Sequence, residues 1–166
     1  MKTRMTVYTL IALLGLALPI LGALETPAAA VQQTVQDTGV VRIKSSYGFA
    51  ETVQRVRQDI AAKGIMSFAE IDQARLAADA SIALAPSTLL VFGNPALGTQ
   101  FITSNPDAGL DWPVRLLVTQ DSDGAVWMVY TDFGFIARRH AIADRAAAFA
   151  KASEVIASIT ASAVKD

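Results

Sequence analysis

The stretch that decides the fold is Val114-Arg-Leu-Leu-Val-Thr-Gln-Asp-Ser-Asp-Gly-Ala-Val-Trp-Met-Val-Tyr-Thr131. Its two halves are rich in β-branched and aromatic residues, which is typical of strands. Between them, Asp121-Ser-Asp-Gly124 supplies residues that favour a tight turn. The pattern predicts an antiparallel hairpin, and alternation places Met128 and Tyr130 on one face of the sheet and Trp127 on the other.

Working outward from the hairpin, the sequence predicts one α+β domain of five strands in a mainly antiparallel sheet packed with helices. The predicted strands are Thr38–Lys44, Ile65–Ile71, Ser87–Phe92, Val114–Gln120 and Ala125–Thr131. The predicted helices are Ala50–Lys63, Gln73–Ala80, Pro95–Ser104 and one long helical region over Phe133–Val164, the first three bounded by Gly64, Asp72 and Asn94 as caps. In the last region a buried stripe is expected from Ile142, Phe149, Ile156 and Ala163, filled in by Ala146, Ala152 and Ile159.

The N-terminus has the pattern of a secretory signal. Lys2 and Arg4 precede an uncharged run from residue 5 to 24, and the small residues Ala28 and Ala30 follow. We therefore predict a signal peptide over residues 1–30 cleaved after Ala30, a linker over 31–37, and the α+β domain over 38–166. The expected location is periplasmic or secreted. The alternative is a retained inner-membrane anchor over residues 5–24, since that run could span a bilayer core of roughly 30 Å.

The charge and the cysteine content of the chain argue against several functions and kinds of site. Cleavage leaves 12 Lys and Arg against 14 Asp and Glu, a net charge of −2 with the cations scattered, which does not favour nucleic-acid binding. The chain has no Cys, which excludes disulfides, thiolate metal sites and a lipoprotein anchor. Because His140 is the only His, no metal site and no cofactor are predicted; haem or copper held with Met66 or Met128 is a weak alternative.

Four polar residues are the candidate ligand-binding site. Asn94, Asp132, Arg139 and His140 fall at or just after predicted strand ends, where loops build sites on a rigid base. We expect them to lie close together, with Arg139 binding a small anionic ligand and His140 making binding depend on pH. The alternatives are local: Asn94 and Asp132 as helix caps, and His140 bonded to a backbone carbonyl.

Several motifs resemble a known family. They are Thr88-Leu-Leu-Val-Phe-Gly-Asn-Pro95 with Gly98-Thr99, Lys63-Gly64 with Phe68-Ala-Glu-Ile-Asp72, Leu110-Asp-Trp-Pro113, Val126-Trp127, Tyr130-Thr-Asp132 and Ala137-Arg-Arg-His140. Together these motifs resemble the domain of unknown function 302 family of small α+β domains over roughly residues 45 to 160.

The resemblance implies a compact α+β fold and a homodimer, without an established activity. Many family members carry Cys at the positions of Gly93 and Val114, and others carry His at that of Gln73. Thiol or two-histidine metal chemistry is therefore not carried over to this chain.

Two functional hypotheses remain open, and whether the chain is an enzyme is undecided. The first is a non-enzymatic binding or sensing module of the bacterial cell envelope. The second is a small hydrolase or isomerase that uses Asp132, Arg139 and His140 around Asn94. Convergence of these four side chains on one open pocket favours the enzyme, whereas dispersal or use in local caps favours the binding module.

The export hypothesis makes a direct prediction. The mature chain should begin at Val31, because Ala28 and Ala30 fit the small-residue pattern before a cleavage site. The intact mass of protein from the envelope fraction of its host measures this. A full-length mass in the membrane pellet would contradict cleavage and support the anchor.

Overall fold

A computed structural model describes residues 33–35 and 38–165. In chain order the strands and helices are β1 (Gln33–Val35), β2 (Val40–Lys44), α1 (Phe49–Ala62), β3 (Met66–Asp72), α2 (Gln73–Asp79), β4 (Ser87–Gly93), α3 (Pro95–Ser104), a 3₁₀ turn (Pro106–Leu110), β5 (Val114–Gln120), β6 (Val126–Thr131), α4 (Phe133–Arg139) and α5 (Ala146–Ala161). The predicted signal peptide and membrane anchor lie outside the described residues. Within those residues, no helix is long and apolar enough to cross a membrane.

The sheet confirms the predicted α+β architecture. Its order is β1-β2-β6-β5-β4-β3, and every neighbouring pair is antiparallel. All five predicted strands are present, and the hairpin joins β5 to β6 as expected. One addition corrects the predicted linker over residues 31–37: Gln33–Val35 pairs with β2. A strand this short is held by its bonds to a neighbour rather than by its own propensity, which is why its sequence did not reveal it.

The core lies between one face of the sheet and the helices. Val41, Met128 and Leu116 from three adjacent strands are buried there, together with Val56 of α1 and Ile156 of α5. Strand β3, at the edge, is exposed along its whole length. The apolar support of the sheet therefore comes from its inner strands, β2, β6, β5 and β4.

The prediction of one long helical region over 133–164 is wrong in one respect, because the structure has two helices there. α4 ends at Arg139 with His140 as its C-cap, and Ala141 has a φ of 50°, a left-handed conformation unusual for a residue with a Cβ. The amide of Ile142 then donates to the carbonyl of Ala137 at 2.9 Å, which closes the helix end as Gly64 does for α1.

The predicted buried stripe crosses this break and is mostly confirmed. Ile142, Phe149, Ile156 and Ala163 are all buried, whereas Ala146 is exposed at the first residue of α5. Phe149 stacks on Phe101 of α3 with ring centroids 4.2 Å apart. This contact joins α5 to α3 beside a cavity that Phe101 lines.

Candidate functional site

A buried carboxylate organises the polar residues near the end of α4. Asp111 follows the 3₁₀ turn, and only 3% of its side chain is exposed. Its Oδ2 lies 2.7 Å from Nε2 of His140 and 3.3 Å from Nη1 of Arg139. Nη2 of Arg115, on β5, donates to Oδ1 at 3.1 Å. Three groups that are cations or can become cations thus surround one buried anion.

This cluster has little room for a substrate. His140 is buried, and Asn105 donates its side-chain amide to the His140 carbonyl at 2.9 Å, which fixes the end of α4. The cavity beside Asp111 has a volume of about 10 Å³. A single water needs roughly that much space. A carboxylate that orients a His resembles a catalytic pair, but here the pair joins the end of α4 to the chain before β5.

The four predicted site residues do not form one site. Arg139 and His140 meet on Asp111, a residue that is not among the four predicted ones. Asp132 instead caps α4, accepting from the amide of Phe135 at 2.7 Å. Asn94 caps α3, accepting from the amide of Ala96 at 2.9 Å. In the described part of the chain no hydrogen bond or ion pair joins either cap to the Asp111 cluster. The expectation that His140 bonds a backbone carbonyl is also corrected, because its ring nitrogen bonds a carboxylate.

Asn94 lies at a cavity between α3 and α5 that has a volume of about 640 Å³. We call this cavity the cleft. Its walls come from the ends of β4 and β5 and from both helices. The lining residues are Lys63, Ile65, Phe92, Gly93, Asn94, Ala96, Leu97, Gly98, Gln100, Phe101, Trp112, Val114, Phe133, Lys151, Ala152, Glu154, Val155, Ile156 and Ser158. Most of these side chains are apolar, which is typical of a small-molecule site.

Trp112 forms one wall of the cleft by packing on glycine. A Cβ added at Gly98 of α3 would fall 1.7 Å from the indole Nε1, and one at Gly93 would fall 3.1 Å from it. The indole can therefore lie against the helix backbone only because position 98 has no side chain. On its other side Phe68 meets the indole edge to face, with centroids 5.9 Å apart.

The second tryptophan has a different environment. Trp127 on β6 donates its indole N–H to Oδ2 of Asp121 in the hairpin turn at 2.7 Å. This bond, with the amides of Asp123 and Ala125, holds the pKa of Asp121 below its ordinary value. Trp112, by contrast, has no hydrogen-bond partner for its indole N–H within residues 38–165. Only Trp112 therefore has an indole donor free for a ligand.

The residues that the structure describes contain no group of three or more His, Cys, Asp or Glu side chains that could hold a metal ion. Met128, one partner considered for haem or copper, is fully buried in the core, and Met66 is exposed on β3.

Comparisons with known proteins show the family of the chain and its fold. Residues 41–159 match the family described as domain of unknown function DUF302. Proteins named fluoride-specific ion channel FluC 1 from Brucella suis and Brucella abortus are each 34% identical over 109 residues, which is 66% of this chain but only 43% and 40% of theirs. The chain therefore spans about two fifths of the length of these relatives.

A solved structure shares the fold. The crystal structure of an uncharacterised conserved DUF302 protein from Bacillus stearothermophilus superposes with a TM-score of 0.68 and 15% identity, covering 75% of this chain and 98% of that one. At this identity the likeness concerns the fold alone. The motif containing Asp111 and Trp112, Leu110-Asp-Trp-Pro113, was the signal that could have identified both residues.

The structure predicts different costs for two aspartates. Asp111→Ala should lower the free energy of unfolding by about 3 kcal/mol, because it leaves a buried His and two Arg without their shared anion. Asp132→Ala, which removes a helix cap, should cost about 1 kcal/mol. Urea unfolding of both variants measures the difference. Equal costs would show that the Asp111 cluster is not the stronger structural element.

Proposed function

We propose, because the chain belongs to the DUF302 family and carries a preformed cleft, that it is a non-enzymatic binding module of the bacterial cell envelope. Its ligand is a small, mainly apolar molecule that occupies the space between α3 and α5. The observation that carries this proposal is the cleft itself, about 640 Å³ in volume and lined by aromatic and aliphatic side chains. Ligand sites commonly have volumes of roughly 300–1,000 Å³ and such linings.

The placement of the polar residues supports binding rather than catalysis. A hydrolase or isomerase that used Asp132, Arg139 and His140 around Asn94 would need these side chains at one accessible site. Instead, His140 and Arg139 bond Asp111, and both Asp132 and Asn94 cap helices. The cleft has no His in its lining, so it offers no general base of that type.

Two further observations support a binding module. The matched region occupies less than half of the longer Brucella proteins, as expected of a unit that can be joined to other parts. In addition, Gly93 and Val114, where the family resemblance places Cys in many members, both line the cleft, which favours the cleft as the location of the site. The position in the envelope rests on the signal pattern of residues 1–30.

The neutral fluorescent probe N-phenyl-1-naphthylamine tests the cleft. It should bind saturably, one molecule per chain, and Val155→Phe should weaken its binding about tenfold or more, a loss of about 1.4 kcal/mol. The reason is steric, because the half-buried Val155 lines the cleft and a larger ring would fill part of it.

Ala157→Phe is the matched control. Ala157 is an exposed residue of the same helix that does not line the cleft, so this variant adds the same ring without filling the site. Probe binding should survive it. Equal binding to the parent and to Val155→Phe, or no saturable binding to the parent, would overturn the proposed function.

A further inference from the structure

The lining of the cleft is divided into an apolar floor and a polar mouth. Phe92, Phe101, Phe133 and Ile156 are buried, each 5% exposed or less, and form the floor. The charged lining residues are Lys63, Lys151 and Glu154, and all three are exposed. A ligand that matches this division has an apolar body and a polar end that stays near solvent.

Two residues that line the cleft carry N–H donors without a partner in the described part of the chain. The indole N–H of Trp112 and the side-chain NH₂ of Asn94 have no hydrogen-bond partner within residues 38–165, since the Asn94 oxygen alone caps α3. The hydrogen bond of Gln100 runs from its amide nitrogen back to the carbonyl of Ala96. A ligand end that accepts hydrogen bonds therefore finds two unused donors.

Two lysines, Lys63 and Lys151, line the mouth of the cleft together with one carboxylate, Glu154. Each lysine has a carboxylate partner, so an anionic ligand must draw a lysine away from its pair. Lys63 pairs with Asp59 on α1, and Lys151 pairs with Glu154 at 3.2 Å. The Lys151–Glu154 pair is at the surface, where such pairs contribute roughly 0–1 kcal/mol, so Lys151 can turn to a ligand at little cost. The Lys63–Asp59 pair is less exposed, with side chains 29% and 21% exposed, so Lys63 is the more firmly held of the two.

We propose that the ligand of the cleft is an amphipathic anion, such as a fatty acid, with its apolar chain on the phenylalanine floor and its carboxylate at the mouth. The lysines attract the carboxylate, and the N–H groups of Trp112 and Asn94 donate to it. This inference rests on the proposed function. It also moves the expected anion site away from Arg139, whose guanidinium is paired with buried Asp111.

Three probes with the same chain and different head groups test the charge preference. Dodecanoate, dodecan-1-ol and dodecyltrimethylammonium, each below its micellar concentration, compete with N-phenyl-1-naphthylamine for the cleft. Dodecanoate should displace the neutral probe at about tenfold lower concentration than the cation does, with the alcohol between them. Raising the salt concentration should narrow this difference, because the lysines are at the surface.

Two double variants test whether the preference for the anionic probe comes from the lysines at the mouth of the cleft. Lys63→Gln with Lys151→Gln should bring the three probes within about twofold of one another. Lys44→Gln with Lys165→Gln removes the same net charge from positions outside the lining and should leave the preference intact. Circular dichroism and binding of the neutral probe establish that each variant is folded.

The outcomes separate this inference from the proposed function. The parent protein could bind the neutral probe and yet prefer the cationic probe, or bind all three dodecyl probes with equal affinity. In that case the proposal of an anionic ligand is wrong and the apolar site stands. A preference for the anion that survives the double variant at the mouth but is lost with the distant pair also contradicts it. If no probe binds saturably, the proposed function itself fails.

Discussion

The contact between the Trp112 indole and the backbone of α3 at Gly98 is the constraint on which the cleft depends. Any side chain at position 98 would occupy the space of the indole. The wall of the cleft therefore depends on glycine at this position of α3. The residue before Trp112 is the buried Asp111, and two residues after it β5 begins at Val114. One short segment therefore positions the cleft wall, the polar cluster and the start of a central strand.

The polar cluster has a structural role, and we infer a binding role for the cleft. Val114 and Phe133 line both the cleft and the small cavity beside Asp111, so the two sites are adjacent but chemically distinct. The residues with the richest chemistry, His140 and Arg139, bond Asp111 and fix the end of α4. The cleft, in contrast, presents aromatic surface and a few unused donors. This arrangement suits recognition of an apolar molecule better than acid–base chemistry on it.

Local patterns predicted most of the fold because each depends on neighbours in the chain. Alternation identified four of the five longer strands and a nearly continuous apolar run identified Ser87–Phe92. The caps at Asp72 and Asn94 follow from side chains that reach their own helix starts. The break at Ala141 escaped prediction, since alanine favours helices and nothing in its identity requires a positive φ. The Asp111 cluster was not predicted because the partners of Asp111 lie up to 29 residues away in the chain. The cleft was not predicted because a cavity between helices leaves no pattern in any one segment of the sequence.

The most direct test of this account observes the two indole N–H groups during ligand binding. In ¹H–¹⁵N correlation spectra, with the two signals assigned by a Trp127→Phe variant, titration with dodecanoate should move the Trp112 signal saturably. The Trp127 signal should stay in place, because its N–H is bonded to Asp121 in the hairpin turn, away from the residues that line the cleft. A Trp112 signal that does not move while dodecanoate binds would contradict the claim that the cleft beside this indole is the ligand site.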